Sequence, residues 1–295
     1  MTKYRKVLIT GAGGQLGQAL QASVPEHAEI AACSREQFDL TDRLRVEETI
    51  STFRPDVIIN AAAYTAVDRA EEEPKQAFAV NGEGPGLLAA AAAEYGSVLV
   101  HVSTDFVFDG SKGSPYRPDD SPSPLGVYGR SKLAGEAAVQ RLIPGRHLIV
   151  RTSWLYAASG RNFVATMLRL LQARDELSVV VDQVGTPTWA AGLARALWVM
   201  LEKEFRGVYH WSDAGVASWY DFAVSIQEEA LSLGLLEREK PIRPIPSSEF
   251  PTPAERPASS VLDKTSTWQE LGYTAPHWRK SLRQMLLEMQ GSFSL

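Results

Sequence analysis

Near the N-terminus the sequence reads Val7-Leu8-Ile9-Thr10-Gly11-Ala12-Gly13-Gly14-Gln15-Leu16-Gly17, followed by helix-like residues 18–22. An apolar run followed by four glycines in seven residues gives the strand, turn and helix start that a dinucleotide-binding fingerprint requires. Gly11 permits a tight turn, Gly14 lets backbone approach a pyrophosphate at the helix N-terminus, and Gly17 leaves room for helix packing. This spacing departs from G-x-G-x-x-G, and the alternative is a glycine-rich βα turn without a ligand.

Beyond this turn, strand-like runs alternate with helix-like runs through the first half of the chain. We predict strands at Val7–Thr10, Glu29–Cys33, Val57–Asn60, Val98–Val102 and His147–Thr152. The predicted helices between them include Leu44–Phe53, the alanine-rich Leu87–Tyr95, and Tyr128–Leu142. Such alternation predicts an α/β fold, a doubly wound parallel sheet with helices on both faces and ligands at the carboxyl ends of its strands.

The second half of the chain is less regular. A proline-rich stretch at residues 249–260 is typical of a loop, and Trp278–Gln290 is predicted to be a final helix. We expect residues 1–155 to form the dinucleotide-binding domain, with parts of 189–230 packed on it. A smaller, discontinuous C-terminal substrate-binding region is expected mainly from residues 156–188 and 231–295.

The composition narrows the classes of function. The chain has 295 residues, 44% hydrophobic and 22% charged, which suits one large globular domain or two closely joined ones. The net charge of −5 argues against a nucleic-acid-binding surface. We see no signal peptide and no apolar run near the ~18 residues that span a bilayer, so we expect no membrane partner. The single cysteine, Cys33, excludes an internal disulfide and suits a reducing cytoplasm, and the scattered histidines predict no metal site.

Tyr128 and Lys132 are the most informative pair of side chains. They are four residues apart, so they share one face of the predicted helix and the ammonium lies near the phenol. A unit charge ~4 Å away at an effective dielectric of ~20 contributes about 4 kcal/mol, or roughly three pKa units. We therefore expect Lys132 to lower the pKa of the Tyr128 phenol from ~10 into the working range of an acid or base. The alternative is an ordinary exposed helix face.

Small and hydroxylated residues follow the third and fourth predicted strands. After the third, Ala61-Ala62-Ala63-Tyr64-Thr65 would let a flat cofactor lie against backbone, although tight packing of helix on sheet needs the same residues. After the fourth, Thr104 can hydrogen-bond a substrate carbonyl beside the phenol, or else it caps the strand end. A glycine turn followed along the chain by Thr104, Tyr128 and Lys132 is a more specific sign of a catalytic site than any one of these residues alone.

The residues after the second predicted strand bear on the choice of cofactor. NAD enzymes usually carry an acidic residue there for the ribose 2′-hydroxyl, whereas this chain has Ser34-Arg35. An arginine can bind a 2′-phosphate, so we predict NADPH, with NADH as the alternative; Arg35 could also be a solvated loop charge. Asp39, with Leu40, either holds the adenine side of the site or caps the helix that begins near Arg43.

These motifs together resemble those of the extended short-chain dehydrogenase/reductases and, within them, the dTDP-4-dehydrorhamnose reductases. The resemblance runs nearly from end to end. It is carried by residues 11–17, 39–42, 60–68, 103–110, 128–136, 151–156 and 182–188, by Arg256-Pro257, and by Ser260, Leu262 and Asp263. It implies a Rossmann-type sheet and reduction of the C4 keto group of dTDP-4-dehydro-L-rhamnose to dTDP-L-rhamnose by hydride from NADPH, the last step of dTDP-rhamnose biosynthesis.

The resemblance also implies roles for individual residues. Tyr128 would give a proton to the sugar C4 oxygen, Lys132 would bind the nicotinamide ribose, and Thr104 would hydrogen-bond the substrate carbonyl. Asp105 and Trp154 would contact the sugar nucleotide. The residues expected to bind the cofactor are Gly11, Gly13, Gly14, Gln15, Leu16, Gly17, Ser34, Arg35, Asp39, Leu40, Ala62, Ala63, Tyr64, Tyr128 and Lys132.

Three further positions qualify this picture. Arg256 is a candidate for the diphosphate of the sugar nucleotide, because a planar fork suits bidentate contact, or else it forms a loop salt bridge. Ala19 stands where many family members carry a glutamate that helps to hold magnesium between two subunits, so the sequence does not support that metal and leaves a homodimer open. Phe106 stands where the family usually has tyrosine, beside the reacting group rather than in it.

Two other classes of function compete with this one: another sugar-nucleotide enzyme of the same superfamily, and a binding module. A sugar-nucleotide 4,6-dehydratase would need Thr-Asp-Glu at the fourth strand end, and Phe106 in the glutamate position cannot carry a proton. Epimerases of the same superfamily are usually longer. The regulatory subunit of methionine adenosyltransferase also resembles this reductase family, so a binding module is the second alternative. The presence of Thr104, Tyr128 and Lys132 favours an enzyme.

Overall fold

A parallel sheet flanked by helices forms the centre of the protein, and a second group of helices packs beside it. The computed structural model describes residues 4–293. The strands are β1 (Lys6–Thr10), β2 (Glu29–Cys33), β3 (Val57–Asn60), β4 (Val98–Thr104), β5 (His147–Thr152), β6 (Leu155–Tyr156), β7 (Leu177–Val180), β8 (Val184–Gly185), β9 (Thr188–Trp189), β10 (Gly207–His210), β11 (Ala217–Ser218) and β12 (Ile242–Ile245). The α-helices are α1 (Gln15–Ala22), α2 (Arg43–Phe53), α3 (Val67–Glu72), α4 (Pro74–Phe78), α5 (Gly84–Tyr95), α6 (Val127–Leu142), α7 (Phe163–Ala173), α8 (Ala190–Glu202), α9 (Trp219–Ser232), α10 (Thr265–Leu271) and α11 (Trp278–Phe293).

The main sheet has the order β2-β1-β3-β4-β5-β10, and every neighbouring pair is parallel. The chain lays β2 on one side of β1 and β3 on the other, so the winding reverses between β1 and β3. Open sheets of this kind form a ligand crevice at such a reversal, beyond the carboxyl ends of the strands. The predicted doubly wound parallel sheet is confirmed.

The sixth strand, β10, is absent from our prediction. Gly207, Val208 and Tyr209 are only partly buried, and the four residues become a strand through parallel pairing with β5, from Gly207 beside Leu148 to His210 beside Arg151. The partners are far apart in the sequence. The local sequence therefore gives little indication of this strand, because β10 forms only through a tertiary contact with β5.

Alternate residues of each sheet strand point to opposite faces, and both faces are covered. On one face, Val7 and Ile9 pack with residues of α1 and α8 such as Leu16 and Leu197. On the other face, Leu8 packs with residues of α2 and α5. All five side chains are buried. Strands buried on both sides need apolar residues at every position, which explains the continuous apolar runs in the sequence.

A separate hydrophobic core lies in the second half of the chain. It packs α7, α9 and α11 around Trp189, Phe222 and Trp278. By contrast, α8 packs on α1, and β10 joins the main sheet. The chain therefore returns to the first unit between its contributions to the second, while the predicted bounds of the two domains stay a prediction. Within residues 4–293, no helix combines the length and the apolar character needed to cross a membrane.

Candidate active site

A cleft with a volume of about 640 Å³ opens at the carboxyl ends of the main strands. Its wall runs from the glycine turn, past the segments after β2 and β3, to Tyr128 and Lys132 of α6 and to Trp154. Every residue predicted to contact cofactor or substrate lines this cleft except Gly17 and Arg256. The fold therefore gathers segments that are distant along the chain into one site.

The glycine turn is shaped by positions where a side chain does not fit. Gly11 has a φ of +70°, and a Cβ there would lie 2.6 Å from the backbone nitrogen of Ala62. A Cβ on Gly17 would lie 2.2 Å from the carbonyl oxygen of Gly11, so Gly17 supports the turn from behind and does not line the cleft. A Cβ on Gly13 would meet nothing within 4 Å. The bare turn thus leaves space for a ligand to approach the backbone.

The helix after the turn has no side chain capping its N-terminus. Its N-cap is Gly14, and its first turn contains no acidic residue. The first N–H groups of a helix lack partners within the helix and carry the positive end of its dipole. An anion is the natural ligand for such an end, so the turn and α1 fit the diphosphate of a dinucleotide.

The residues after β2 give this part of the cleft charges of both signs. Arg35 is exposed and makes no hydrogen bond or ion pair with the residues that the structure describes. Glu36 also lines the cleft, and the Ser34 hydroxyl donates to its carboxylate at 2.6 Å, which lowers the pKa of the carboxyl. Our expectation that no acidic residue follows this strand is therefore wrong, because one stands directly after Arg35.

Asp39 bonds within its own turn. Its Oδ1 accepts hydrogen bonds from the backbone and the hydroxyl of Thr41 at 2.9 and 2.8 Å, which lower the pKa of Asp39. The cap of α2 is Asp42, whose carboxylate accepts from the backbone nitrogen of Arg45 at 3.1 Å. Of the two roles considered for Asp39, the helix cap is wrong, and the place on the cleft wall beside Leu40 is observed.

Asn60 fixes the small residues that follow β3. Its Oδ1 accepts from the Thr10 hydroxyl at 2.8 Å and from the backbone of Ala62 at 3.2 Å, and its Nδ2 lies 3.1 Å from Nδ1 of His101. This buried network ties the ends of β1 and β3 to the middle of β4. It holds Ala62 and Ala63 in the cleft wall, where their small side chains keep the surface flat.

Tyr128, Thr104 and Asp105 meet at the opposite end of the cleft from the glycine turn. The Thr104 hydroxyl donates to Oδ1 of Asp105 at 3.0 Å and accepts from the backbone of Phe106 at 3.2 Å. Burial raises the pKa of the Tyr128 phenol to about 12; the Asp105 carboxylate adds to the rise, and the Thr104 hydroxyl opposes it. Burial also raises the pKa of Asp105 to about 6.

The expected effect of Lys132 on the Tyr128 phenol is wrong for this structure. Lys132 is 2% exposed, and its ammonium donates to the carbonyl oxygen of Val102 at 2.7 Å. Burial lowers the pKa of Lys132 to about 8, and the Glu136 carboxylate opposes that fall. Exclusion of water destabilises the phenolate, and Lys132 is not among the groups that offset this effect. Tyr128 therefore keeps its proton at neutral pH, as a proton donor must.

A buried ion pair, which the sequence analysis missed, anchors the helix that carries these residues. Arg151 of β5 donates to both carboxylate oxygens of Glu136 on α6, at 2.7 to 3.2 Å, and both side chains are almost fully buried. Arg151 also donates to the carbonyl oxygen of Pro118 and lies over the ring of Phe108. Glu136 is one helical turn beyond Lys132, so the pair fixes α6 against the sheet at the catalytic end.

The two remaining predicted substrate residues have different surroundings. Trp154 lines the cleft, adopts a φ of +44°, and stacks on Trp219 with ring centroids 3.6 Å apart. Arg256 lies outside the cleft lining and donates to Asp68 at 2.8 Å. In this structure Arg256 thus forms the loop salt bridge that the sequence left as its alternative. Its predicted contact with a diphosphate is not observed.

The cleft also contains residues that the sequence analysis did not select. Thr152 and Ser153 come from the end of β5, and Gly160 and Arg161 come from the segment before α7. Their neighbours along the chain give no local signal, because tertiary folding alone brings them to the cleft. Within residues 4–293, no group of three or more His, Cys, Asp or Glu side chains is arranged to hold a metal ion.

Comparison with known families gives a match over almost the whole chain. The family described as RmlD substrate binding domain matches residues 5–290. A dTDP-4-dehydrorhamnose reductase of Aggregatibacter actinomycetemcomitans is 42% identical over 288 residues, covering 95% of this chain and 98% of that protein. A reductase of the same name from Escherichia coli is 40% identical over 292 residues, covering 96% of this chain and 97% of that one.

Solved structures give the same result. The dTDP-4-dehydrorhamnose reductase of Bacillus anthracis in complex with NADP has a TM-score of 0.90 at 37% identity, covering 96% of this chain and 99% of that one. An orthologue from Clostridium acetobutylicum has a TM-score of 0.92 at 40% identity, with 97% and 99% covered. The UDP-glucose 4-epimerase of Thermus thermophilus, at 20% identity and a TM-score of 0.79, shares the fold.

Proposed function

Because the chain belongs to the family of the RmlD substrate binding domain and its relatives are dTDP-4-dehydrorhamnose reductases, we propose that it reduces the C4 keto group of dTDP-4-dehydro-L-rhamnose to dTDP-L-rhamnose with NADPH. The observation that carries this proposal is the meeting of Thr104, Tyr128 and Lys132 at one end of a cleft whose other end is a glycine turn. The two ends suit a substrate carbonyl and a dinucleotide.

Bound NADPH supplies the hydride for C4 of the sugar. Tyr128 gives its phenolic proton to the C4 oxygen, and a pKa of about 12 ensures that this proton is present at neutral pH. Thr104 hydrogen-bonds the same oxygen and holds it next to the phenol. The balance is one hydride and one proton added across the C=O bond. The phenolate that remains is a strong base and regains its proton from water.

Lys132 binds the nicotinamide ribose. An ammonium has three N–H donors, and in this structure one of them is used on the carbonyl oxygen of Val102. The other two would serve ribose hydroxyls. This contact to backbone gives the lysine a fixed position at the end of β4. Its role is thus to orient the cofactor beside Tyr128 and to keep a positive charge there.

The sugar nucleotide contacts Asp105 and Trp154. Trp154 offers a flat apolar face held by stacking on Trp219, and Asp105 offers a carboxylate beside Thr104. Trp219 belongs to α9, whose neighbouring residues form the second core. Trp219 lies outside residues 156–188 and 231–295, the segments predicted for the substrate-binding region, but it packs against the second core, which supports that core as the substrate side of the cleft. Arg256 remains a candidate for the diphosphate, which would require it to leave Asp68.

The preference for NADPH rests on Arg35. Its guanidinium is exposed at the cleft and makes no hydrogen bond or close ion pair with the described residues, although its charge acts on Glu36 and Asp39, so it is available to a 2′-phosphate. Glu36 beside it would favour a ribose hydroxyl, and NADH is thus the weaker second cofactor. We also propose a cytoplasmic, homodimeric enzyme; light scattering after size-exclusion chromatography tests the dimer, and cell fractionation tests the location.

One assay tests the reaction directly. Purified protein is incubated with enzymatically generated dTDP-4-dehydro-L-rhamnose and NADPH, and cofactor absorbance is followed together with the sugar product. We expect one NADPH oxidised per dTDP-L-rhamnose formed, and none without the keto sugar. Absence of oxidation at any reasonable enzyme concentration contradicts the proposal. A stoichiometric protein partner without turnover would instead indicate the regulatory module.

A further inference from the structure

A short segment from the C-terminal half reaches across to the glycine turn. Residues 157–162, the clasp segment, connect β6 to α7. The Ser159 hydroxyl donates to Oε1 of Gln18 at 2.6 Å, and the Asn162 amide donates to Oε1 of Gln15 at 2.9 Å. Gly160 lies directly over Gln15, since a Cβ there would be 3.4 Å from Gln15 Cγ. The clasp segment is therefore bonded to the first turns of α1.

The clasp segment holds its shape through its own hydrogen bonds. Asn162 caps α7 by accepting from the backbone of Ala165 at 3.0 Å, and its amide also donates to the carbonyl oxygen of Ala157 at 2.8 Å. Gly160 has a φ of +81°, a left-handed conformation that glycine adopts without strain. The backbone of Arg161 is thereby fixed between two anchored neighbours.

Arg161 is a cation without a protein partner on the cleft wall. It is exposed, it lines the cleft, and its guanidinium makes no hydrogen bond or ion pair with the residues that the structure describes. The other two cations of the lining lie elsewhere in the cleft. Lys132 is bonded to Val102 at the catalytic end, and Arg35 follows β2. The neighbours of Arg161 at the glycine turn, Gln15 among them, are uncharged.

The glycine turn is the part of the cleft that fits the diphosphate of a dinucleotide. Two phosphates bring two negative charges, which the partial charge of one helix end balances only in part. A guanidinium offers planar, bidentate hydrogen bonds to phosphate oxygens. We infer that Arg161 binds the diphosphate of the dinucleotide cofactor, and that the clasp segment holds the cofactor on the glycine turn.

The cofactor is the favoured source of this diphosphate, although the sugar nucleotide also carries one. The clasp segment is bonded to Gln15 and Gln18 of α1, next to the glycine turn after β1, whereas Thr104 and Asp105 lie at the end of β4, two strands away. The inference rests on the proposed function only in taking the ligand to be a dinucleotide. It requires no turnover of the sugar.

Measurements of NADPH binding test the proposed role of Arg161. The dissociation constant of NADPH is measured by fluorescence titration for the wild type, Arg161→Ala, Arg161→Lys and Arg169→Ala, with the melting temperature of each protein as a check of folding. Arg169 is the matched control, because it is exposed on α7 and does not line the cleft. We expect about tenfold weaker NADPH binding for Arg161→Ala, a smaller loss for Arg161→Lys, and none for Arg169→Ala.

Two further measurements distinguish the cofactor from the sugar nucleotide as the source of the diphosphate. They also separate this inference from the proposed reductase function. The affinity for dTDP, measured by calorimetry, should be equal in the wild type and Arg161→Ala; a loss for dTDP alone assigns Arg161 to the sugar nucleotide and overturns the inference. Unchanged NADPH affinity in Arg161→Ala also overturns it and leaves the reductase proposal intact. Failure of the wild type to bind NADPH would refute both. Ser159→Ala, which removes one anchor to α1, should weaken NADPH binding about twofold to threefold.

Discussion

The two ends of the cleft are built in opposite ways. At the catalytic end, Thr104, Asp105 and Lys132 are buried side chains, and burial shifts the pKa values of Asp105, Lys132 and Tyr128. At the glycine-turn end, the wall is bare backbone, a helix N-terminus without a side-chain cap, and exposed arginines. The catalytic end therefore acts through side chains in a medium of low dielectric. The glycine-turn end acts by leaving space for a ligand and by exposing positive charge to water.

This difference determines what each end tolerates. At the catalytic end, removing one functional group changes the chemistry, because buried perturbed groups act on the reacting atoms. At the glycine-turn end, adding a group does the damage, because a side chain would fill space that the backbone or the cofactor needs. Substitutions should therefore separate effects on rate from effects on folding and affinity.

The largest effect is expected from Tyr128→Phe, which removes the proton donor. We expect kcat to fall by ~10² to ~10⁴ while NADPH affinity stays unchanged, since the ring remains in place. Steady-state rates and fluorescence titration measure the two quantities. Tyr95→Phe, a tyrosine outside the cleft lining, is the control and should keep full activity. A fully active Tyr128→Phe variant would show that another group donates the proton.

Glu136→Gln tests the anchoring of the catalytic helix. The substitution leaves the buried guanidinium of Arg151 without its charged partner, and we expect the free energy of unfolding to fall by about 3 to 5 kcal/mol. Denaturant unfolding measures the change. Glu47→Gln is the matched control, because it breaks the exposed pair with Arg43 and should cause little change. Equal effects of the two substitutions would contradict a special role of the buried pair.

Gly17→Ala probes the glycine-turn end. Its Cβ would lie 2.2 Å from the carbonyl oxygen of Gly11, so the backbone must shift, and we expect a loss of about 1 to 3 kcal/mol in the free energy of unfolding. Gly13→Ala, whose Cβ meets nothing within 4 Å, should leave stability unchanged. Thermal unfolding compares the two. If Gly13→Ala destabilised the protein as strongly as Gly17→Ala, packing would not explain the turn.

The pH dependence of NADPH binding should report Lys132. Burial penalises its ammonium, so the proton is lost near pH 8 instead of the usual ~10.4, and affinity should fall as the pH rises through about 8, by up to tenfold per pH unit. Titrations between pH 6 and 10 measure this. Tyr128→Phe should show the same midpoint, because that phenol titrates at about 12. A midpoint that disappears in Tyr128→Phe would assign it to the phenol instead.

The smallest effect is expected from Arg35→Ala, an exposed charge at the glycine-turn end. We expect the ratio of kcat/KM for NADPH over NADH to fall about fivefold, which is the size of one solvent-screened contact. Arg45→Ala, an exposed arginine on α2 paired with Glu48, is the control and should keep the wild-type ratio. An unchanged ratio in Arg35→Ala would leave Glu36 or backbone contacts to set the preference.

Much of the glycine-turn end could be read from the sequence, because its signals are local. The strand, the turn and the helix start are neighbours along the chain, and Gly11 and Gly17 occupy positions where the structure leaves no room for a Cβ. The bounds of β2, β3 and β5 agree with the prediction, and for the fully buried β3 the reason is also local, since its first three residues form a continuous apolar run. Helix spacing likewise placed Tyr128 and Lys132 on one face.

The sequence by itself determined the fold class, the dinucleotide-binding turn and the trio Thr104, Tyr128 and Lys132, because each depends on residue type and short-range spacing. Only the tertiary structure decided the electrostatics and the long-range partners. Burial, which depends on everything packed around a group, raises the pKa of Tyr128 where spacing alone predicted a fall. The pairing of Arg151 with Glu136, the strand β10 and the hydrogen bonds of Ser159 and Asn162 to α1 join residues distant in the chain. No local pattern encodes such contacts, since they form only when the sheet and its helices close around them.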